Sequence, residues 1–187
     1  VDESMATLES LYGIDITYYA RVNFTSLIRV VDALGGVDVN SEYAFEAGGY
    51  QFQQGSNHLN GEQALAFSRE RYSFSSGDNQ RGKNQEAVLT AILQKAMSPA
   101  LLINASELIT SVSDCVETNM TRTEMAKFIN MQLSEGAGWT IESTAATGTG
   151  DNQACYSSGS QLLYVMWPDD ASVAEISEKM QQVLNGE

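Results

Sequence analysis

Arginine, aspartate and glutamine side chains at regular spacing make the segment from residue 69 to residue 85 a candidate binding site. Arg69 and Arg71 are two residues apart, and Arg81 and Gln85 are four apart. In an extended segment the first pair would point to one side, and on a helix the second pair would share a face. Since the planar guanidinium binds two phosphate oxygens at once, three converging arginines would suit a pyrophosphate better than a single carboxylate.

A long helix is predicted directly after this segment, with Asp78 as its N-cap and an end near Met97. Its first turn would add free N–H groups and a positive dipole end to the arginines. Asp78 could serve as a helix cap, as a partner for an arginine or a metal ion, or as both. The alternative for the arginines is a solvated ion-pair face with Glu70 and Glu86.

Overall charge narrows the possible ligands. The 187 residues include 24 acidic and 10 basic side chains, for a net charge of −14. Such a balance opposes binding to nucleic acid or to anionic lipid surfaces. Four of the ten cations (Arg69, Arg71, Arg81 and Lys83) nevertheless lie within 15 residues. This pattern favours one focused anionic ligand. The single histidine, His58, supports neither a zinc site nor a serine-histidine-acid triad.

The elements that must position these residues alternate between helix and strand. No apolar run approaches the roughly 20 residues of a membrane span, so we expect a soluble segment. The pattern predicts an α/β fold, a three-layer α/β/α sandwich with a mixed central sheet. The predicted helices cover residues 4–12, 25–34, 60–67, 78–97, 100–112, 121–133 and 170–183, and the strands cover residues 16–22, 37–39, 43–54 as a hairpin, 139–142 and 161–167.

Several motifs together resemble one protein family. Arg-x-Arg is followed after six residues by Asp78, after two more by Arg81 and after three more by Gln85. Upstream lie Val22-Asn-Phe24, the run from Val31 through Asp-Ala-Leu-Gly-Gly to Val37, and a Leu-Asn-Gly-Glu-Gln-Ala-Leu step over residues 59–65. Over residues 5–97 the chain resembles the LytR-CpsA-Psr family of cell-envelope glycopolymer transferases.

The resemblance implies a function and a location. Family members are phosphotransferases that move a teichoic acid, capsule or other glycan from undecaprenyl pyrophosphate to peptidoglycan, at the extracytoplasmic face of the bacterial membrane. It also implies a membrane anchor and metal-binding strands upstream of this chain. Residues 1–112 are identified as the C-terminal part of the catalytic domain, and residues 113–187 as its remainder or as an α/β extension.

The same resemblance assigns roles to the site residues. Arg69, Arg71 and Arg81 would clamp the pyrophosphate, Gln85 would contact a phosphate oxygen, and Asp78 would position an arginine or Mg²⁺. Mg²⁺ is expected for the complete domain, with its ligands upstream, so we expect this chain alone to be inactive.

The two cysteines, Cys115 and Cys155, could be separate thiols or one disulfide. Because the resemblance implies an exported protein, it favours the disulfide.

Three other functions remain open. The chain could be a non-catalytic module that binds a polyprenyl phosphate or a glycan, without a metal site. It could be a transcriptional attenuator, which the acidic charge opposes. It could also be the structural partner of an upstream segment that supplies missing strands.

Overall fold

The computed structural model describes residues 1–74, 78–136 and 140–186, except for the side chain of Asp78. These residues form two compact units. The terminal unit comprises Val1–Thr17 and Glu142–Glu187, and the central unit comprises Tyr18–Ile141. The boundary expected near residue 112 follows the resemblance rather than compactness, and it stays a prediction.

Helices and strands alternate along most of the chain. In order they are α1 (Asp2–Tyr12), β1 (Ala20–Arg21), α2 (Phe24–Ala33), β2 (Val37–Ser41), β3 (Phe45–Ala47), β4 (Tyr50–Phe52), β5 (Gly55–Leu59), α3 (Gly61–Arg69), α4 (Asp78–Ala96), α5 (Pro99–Leu102), α6 (Ala105–Val112), β6 (Glu117–Thr118), α7 (Arg122–Glu135), β7 (Gly148–Ala154), β8 (Leu162–Pro168) and α8 (Asp170–Asn185). The α/β class is confirmed.

The sheets differ from the single mixed sheet that the pattern predicts. Within the described ranges the strands pair only as four two-stranded antiparallel sheets, β1–β6, β2–β5, β3–β4 and β7–β8. The strands on either side of α2 do not pair with each other, since β1 pairs with the distant β6 and β2 pairs with β5. Each short strand is satisfied by one antiparallel partner.

The core of the central unit lies between the four strands β2, β3, β4 and β5 and the helices α2, α3 and α4. Alternate residues of β2 point inward, as expected for a strand with one buried face. The largest fully buried side chains are Phe67, Leu59, Val31, Val37 and Val39. This apolar centre fixes the positions of α3 and α4, which carry the candidate site residues.

The helices predicted to begin near residues 60, 121 and 170 are found there. Two of them begin with a complete capping box, between Asn60 and Gln63 and between Thr121 and Glu124. The α8 helix begins with Asp169 accepting a hydrogen bond from the Ser172 N–H at 2.8 Å. The helix predicted over residues 100–112 is instead divided into α5 and α6.

The glycine-rich stretch near residue 150 forms a strand, not the expected loop. β7 pairs with β8 over seven residues, from Gly148↔Pro168 to Ala154↔Leu162. A Cβ atom at Gly148 would lie 2.2 Å from the carbonyl oxygen of Trp167, so the absent side chain permits this close pairing. Of the strand predicted over residues 139–142, Trp139 lies outside the described residues and 140–142 form no strand.

The two cysteines are free thiols in this structure, so the expected disulfide is not formed. Cys115 is buried in the central unit, and its thiol lies 3.5 Å from the Asp114 carboxylate. Burial, together with the hydrogen bond to Asp114, raises the pKa of Cys115. Cys155 belongs to the terminal unit, where its sulfur lies 3.7 Å from the Gln153 carbonyl oxygen. Each thiol thus has its own local partner.

Candidate functional site

Helix α3 carries Arg69 as its last residue. The helix begins at the Asn60 cap, and Glu70 leaves it in an extended conformation with φ −64° and ψ 133°. The helix therefore ends two residues later than predicted. Arg69 and Arg71 do not share one extended segment, and the same-side geometry expected of their spacing does not apply.

A buried amide contact fixes the crossing of α3 and α4. Asn84 donates from Nδ2 to the carbonyl oxygen of Phe67 at 3.3 Å, and Gln80 donates to Asn84 Oδ1 at 3.2 Å. Arg69 lies about 3 Å along the helix axis from Phe67, and Arg81 about 4.5 Å from Asn84. The contact therefore places the backbones of both arginines at this crossing.

The segment after α3 folds into a turn held by Glu70. Its carboxylate accepts hydrogen bonds from the backbone N–H groups of Tyr72 at 2.6 Å and Ser73 at 2.7 Å. Burial raises the pKa of Glu70, but the bonds from Ser73 and Tyr72 outweigh it and leave that pKa below its usual range. Phe74 anchors the end of the turn, with ring centroids 4.9 Å from Phe45 and 6.0 Å from Tyr43.

The exposed arginines rest on aromatic rings instead of carboxylates. The Arg69 Cζ lies 4.6 Å from the centroid of the Phe24 ring, and the Arg71 Cζ lies 5.6 Å from that of Tyr72. Among the described residues, neither arginine forms an ion pair with an acidic side chain. For these two arginines, the alternative of an ion-pair face with Glu70 and Glu86 is not supported.

Helix α4 holds the remaining predicted site residues. Arg81 is half-buried, and Gln85, one turn later, is exposed. Asp78 is the first residue of α4 rather than the residue before it. Lys83, the fourth clustered cation, pairs with Glu42 at 3.2 Å and lowers the pKa of that carboxyl group.

Other charged residues that could have joined the site have partners elsewhere in the central unit. Arg21 pairs with Glu117 across β1 and β6, and Arg29 pairs with Asp114 at 2.8 Å. His58 lies on β5, not in the expected loop, with its Nδ1 atom 2.7 Å from Asp38.

Sequence reasoning missed three residues next to the arginines: Phe24, which contacts Arg69, and Gln80 and Asn84, which join α4 to α3. The four-residue spacing of Gln80, Asn84 and Val88, all of which are buried, was the available signal for the inward face of α4. Leu89 and Leu93 of the same helix are 57% and 45% exposed, so they lie outside this inward face.

Metal ligands are not gathered in the described ranges, where no group of three or more His, Cys, Asp or Glu side chains could hold an ion. The acidic set that Mg²⁺ prefers is therefore not met by these residues.

Within the terminal unit, a groove of about 900 Å³ is lined by α1, the end of β8 and the start of α8, including Leu11, Trp167 and Val173. No helix in the described part of the chain has the length and apolarity needed to cross a bilayer.

Comparison with known proteins identifies the family. The model of the LytR_cpsA_psr family matches residues 1–182, which extends well beyond the stretch that carries the motifs. The chain belongs to the LytR-CpsA-Psr family. Among solved structures, TagV of B. subtilis has a TM-score of 0.79 and 27% identity, over 98% of this chain and 70% of that one. TagU of B. subtilis has a TM-score of 0.72 and 26% identity, over 97% and 71%.

Curated relatives within the family carry the name polyisoprenyl-teichoic acid–peptidoglycan teichoic acid transferase TagU. The protein of Bacillus mycoides is 40% identical over 125 residues, 67% of this chain and 41% of that protein. The protein of Enterococcus faecalis is 38% identical over 124 residues, 66% of this chain and 41% of that protein. The chain thus spans less than half the length of these relatives.

Proposed function

We propose that this chain is the pyrophosphate-binding part of a transferase that attaches a glycopolymer of teichoic acid or capsule type to peptidoglycan. The donor would be the glycopolymer on undecaprenyl pyrophosphate, and the reaction would occur at the extracytoplasmic face of the membrane. Membership of the family and the names of the relatives support the reaction class.

One observation carries the proposal. Arg69 and Arg71 are exposed guanidinium groups that, among the described residues, have no acidic partner, in a chain with a net charge of −14. Arg122 on α7 also has no acidic partner among the described residues, but no second arginine lies near it in the sequence, whereas Arg69, Arg71 and Arg81 lie within 13 residues. Arginines that keep their N–H donors available suit a ligand that brings its own negative charge.

The arginines would neutralise the negative charge of the pyrophosphate during the reaction. An acceptor sugar hydroxyl attacks the phosphorus that bears the glycan, the bond from that phosphorus to the bridging oxygen breaks, and undecaprenyl phosphate leaves. The hydroxyl proton passes to solvent as the new phosphodiester forms. Arg69, Arg71 and Arg81 would neutralise the pyrophosphate oxygens, Gln85 would donate a hydrogen bond to one of them, and Asp78 would position an arginine. Positioning and charge neutralisation supply most of the acceleration in such transfers.

Mg²⁺ dependence is proposed from the family resemblance. Because the described residues do not gather an acidic ligand set, no catalytic step of this chain is assigned to the ion. The same observation favours a second candidate, a non-catalytic module that binds a polyprenyl phosphate or a glycan. Release of undecaprenyl phosphate from a lipid-linked donor by this chain would contradict that candidate and our expectation that the chain alone is inactive.

Calorimetric titration with farnesyl pyrophosphate, a soluble polyprenyl pyrophosphate, tests the arginine assignment. Each of Arg69→Ala, Arg71→Ala and Arg81→Ala should weaken binding by about 10-fold or more, because a hydrogen bond to a charged group contributes roughly 1.5–3 kcal/mol. The matched control is Arg122→Ala, which removes one exposed arginine at the start of α7. Binding that is equally strong in all four variants would refute the site.

A further inference from the structure

The contact between Phe24 and Arg69 closes one end of an antiparallel pair of helices. At the other end of α2 and α3, the Gly61 N–H donates to Asp32 Oδ1 at 2.8 Å. The two contacts are about eight residues apart on each helix, or roughly 12 Å along the axis. Gly61 allows this close approach, since a Cβ atom there would lie 2.3 Å from the Ile28 carbonyl oxygen. The packing of the two helices therefore sets where Phe24 meets Arg69.

The position of Phe24 is fixed by the start of α2. Asn23 caps the helix by accepting a hydrogen bond from the Ser26 N–H at 2.8 Å, which makes Phe24 the first helical residue. The residue is 60% exposed, so its ring can be reached by a cation at the surface. The guanidinium carbon of Arg69 lies 4.6 Å from the ring centroid.

An aromatic ring and a carboxylate hold a guanidinium group in different ways. In a cation–π contact the aromatic face attracts the cation, and the N–H donors need not be used. A carboxylate would accept hydrogen bonds from the same donors that a phosphate requires. Among the described residues, Arg69 forms no such ion pair. Phe24 can therefore restrain the guanidinium without competing with an anionic ligand.

We propose that Phe24 is a positioning residue for Arg69, which it holds in place for pyrophosphate binding while leaving its donors available. This inference rests on the proposed function and deepens it, because it names the group that prepares one of the three arginines.

The contact itself is measurable without any ligand. In the NMR spectrum, the side-chain resonances of Arg69 should be shifted upfield by the ring current of Phe24. Phe24→Leu should remove that shift and keep an apolar side chain, and Phe24→Tyr should retain it. Arg69 resonances that do not change in Phe24→Leu would overturn the inference.

Binding of inorganic pyrophosphate tests the consequence, since this probe has no hydrocarbon chain that Phe24 could contact. Phe24→Leu should weaken binding by about 2- to 5-fold, the strength of an exposed cation–π contact, and Phe24→Tyr should bind within about 2-fold of the parent chain. In the Arg69→Ala background, Phe24→Leu should have no further effect. An equal loss in both backgrounds would mean that Phe24 acts independently of Arg69, which overturns the inference.

Failure of the proposed function gives a different result. If Arg69→Ala leaves pyrophosphate affinity unchanged, the role of the arginines is wrong and this inference falls with it. If Arg69→Ala weakens binding but Phe24→Leu does not, only the positioning role of Phe24 is wrong. Thermal unfolding of each variant verifies that the comparison is made between folded chains.

Discussion

At the scale of single residues, Glu70 lies between Arg69 and Arg71 in the sequence, yet its carboxylate binds the backbone and not these arginines. Its carboxylate accepts the backbone N–H groups of Tyr72 and Ser73, which shapes the turn that presents Arg71. An acidic neighbour of an arginine can thus hold the backbone of a turn through its Oε1 atom instead of pairing with that arginine.

Glu70→Ala should loosen this turn, which amide hydrogen exchange at Tyr72 and Ser73 would detect as faster exchange. Glu70→Gln should lie between Glu70→Ala and the parent, since the amide oxygen still accepts. Glu86→Ala, which removes the same charge from α4, is the matched control. Unchanged exchange in Glu70→Ala would show that the two bonds do not hold the turn.

The same bonds predict a pH dependence. The pKa of Glu70 is lowered in the folded chain. Its carboxylate therefore stabilises the turn fully above the ordinary glutamate pKa of about 4.3, and this stabilisation is lost as pH falls through the lowered value. Protection of the Tyr72 and Ser73 amides should therefore decrease in the acid range and remain constant near neutral pH. Protection that decreases near neutral pH instead would assign the transition to another group.

At the scale of elements, the approach of α2 and α3 depends on a missing side chain. Gly61→Ala would bring Cβ to 2.3 Å from the Ile28 carbonyl oxygen, and backbone cannot move aside as a flexible side chain can. We expect the free energy of unfolding to fall by about 1–3 kcal/mol, as in other overpacked sites. Urea denaturation measures this change.

Gly82→Ala provides a control with the opposite sign. Gly82 lies on α4, and a Cβ atom there would meet nothing within 4 Å. Alanine in a helix interior is more favourable than glycine by about 0.5–1 kcal/mol, so this variant should be slightly more stable. A stabilising Gly61→Ala would contradict the close packing of α2 and α3.

The elements also show what sequence reasoning can reach. The capping boxes at Asn60 and Thr121 were predictable because each depends on side chains three residues apart. The strand at Gly148–Ala154 was not, because its partner β8 is remote and glycine normally indicates a loop. Within the candidate site, spacing pointed to the arginines and Gln85, whose roles stay predictions. The contact between Phe24 and Arg69 depends on the packing of α2 against α3, which no local pattern records.

At the scale of the whole molecule, charge separates a small anionic ligand from a nucleic acid. A net charge of −14 repels an extended polyanion over most of the surface, whereas a pyrophosphate needs only the arginine cluster. We therefore expect no complex with duplex DNA in a mobility-shift assay at about 50 mM salt, where basic DNA-binding proteins bind strongly. A complex that weakens steeply with added salt would revive the role of a transcriptional attenuator.

The terminal unit is built from the two ends of the chain. Within it, the Ser177 hydroxyl donates to the carbonyl oxygen of Tyr12 across 165 residues of sequence, and Gln181 donates to the Gly13 carbonyl oxygen at 2.8 Å. A ribosome adding about 5–20 residues per second would need roughly 10 to 30 s to pass from Tyr12 to Ser177. Helix α1 is therefore made before its partner α8, so during synthesis it must wait without α8 while the residues between them emerge.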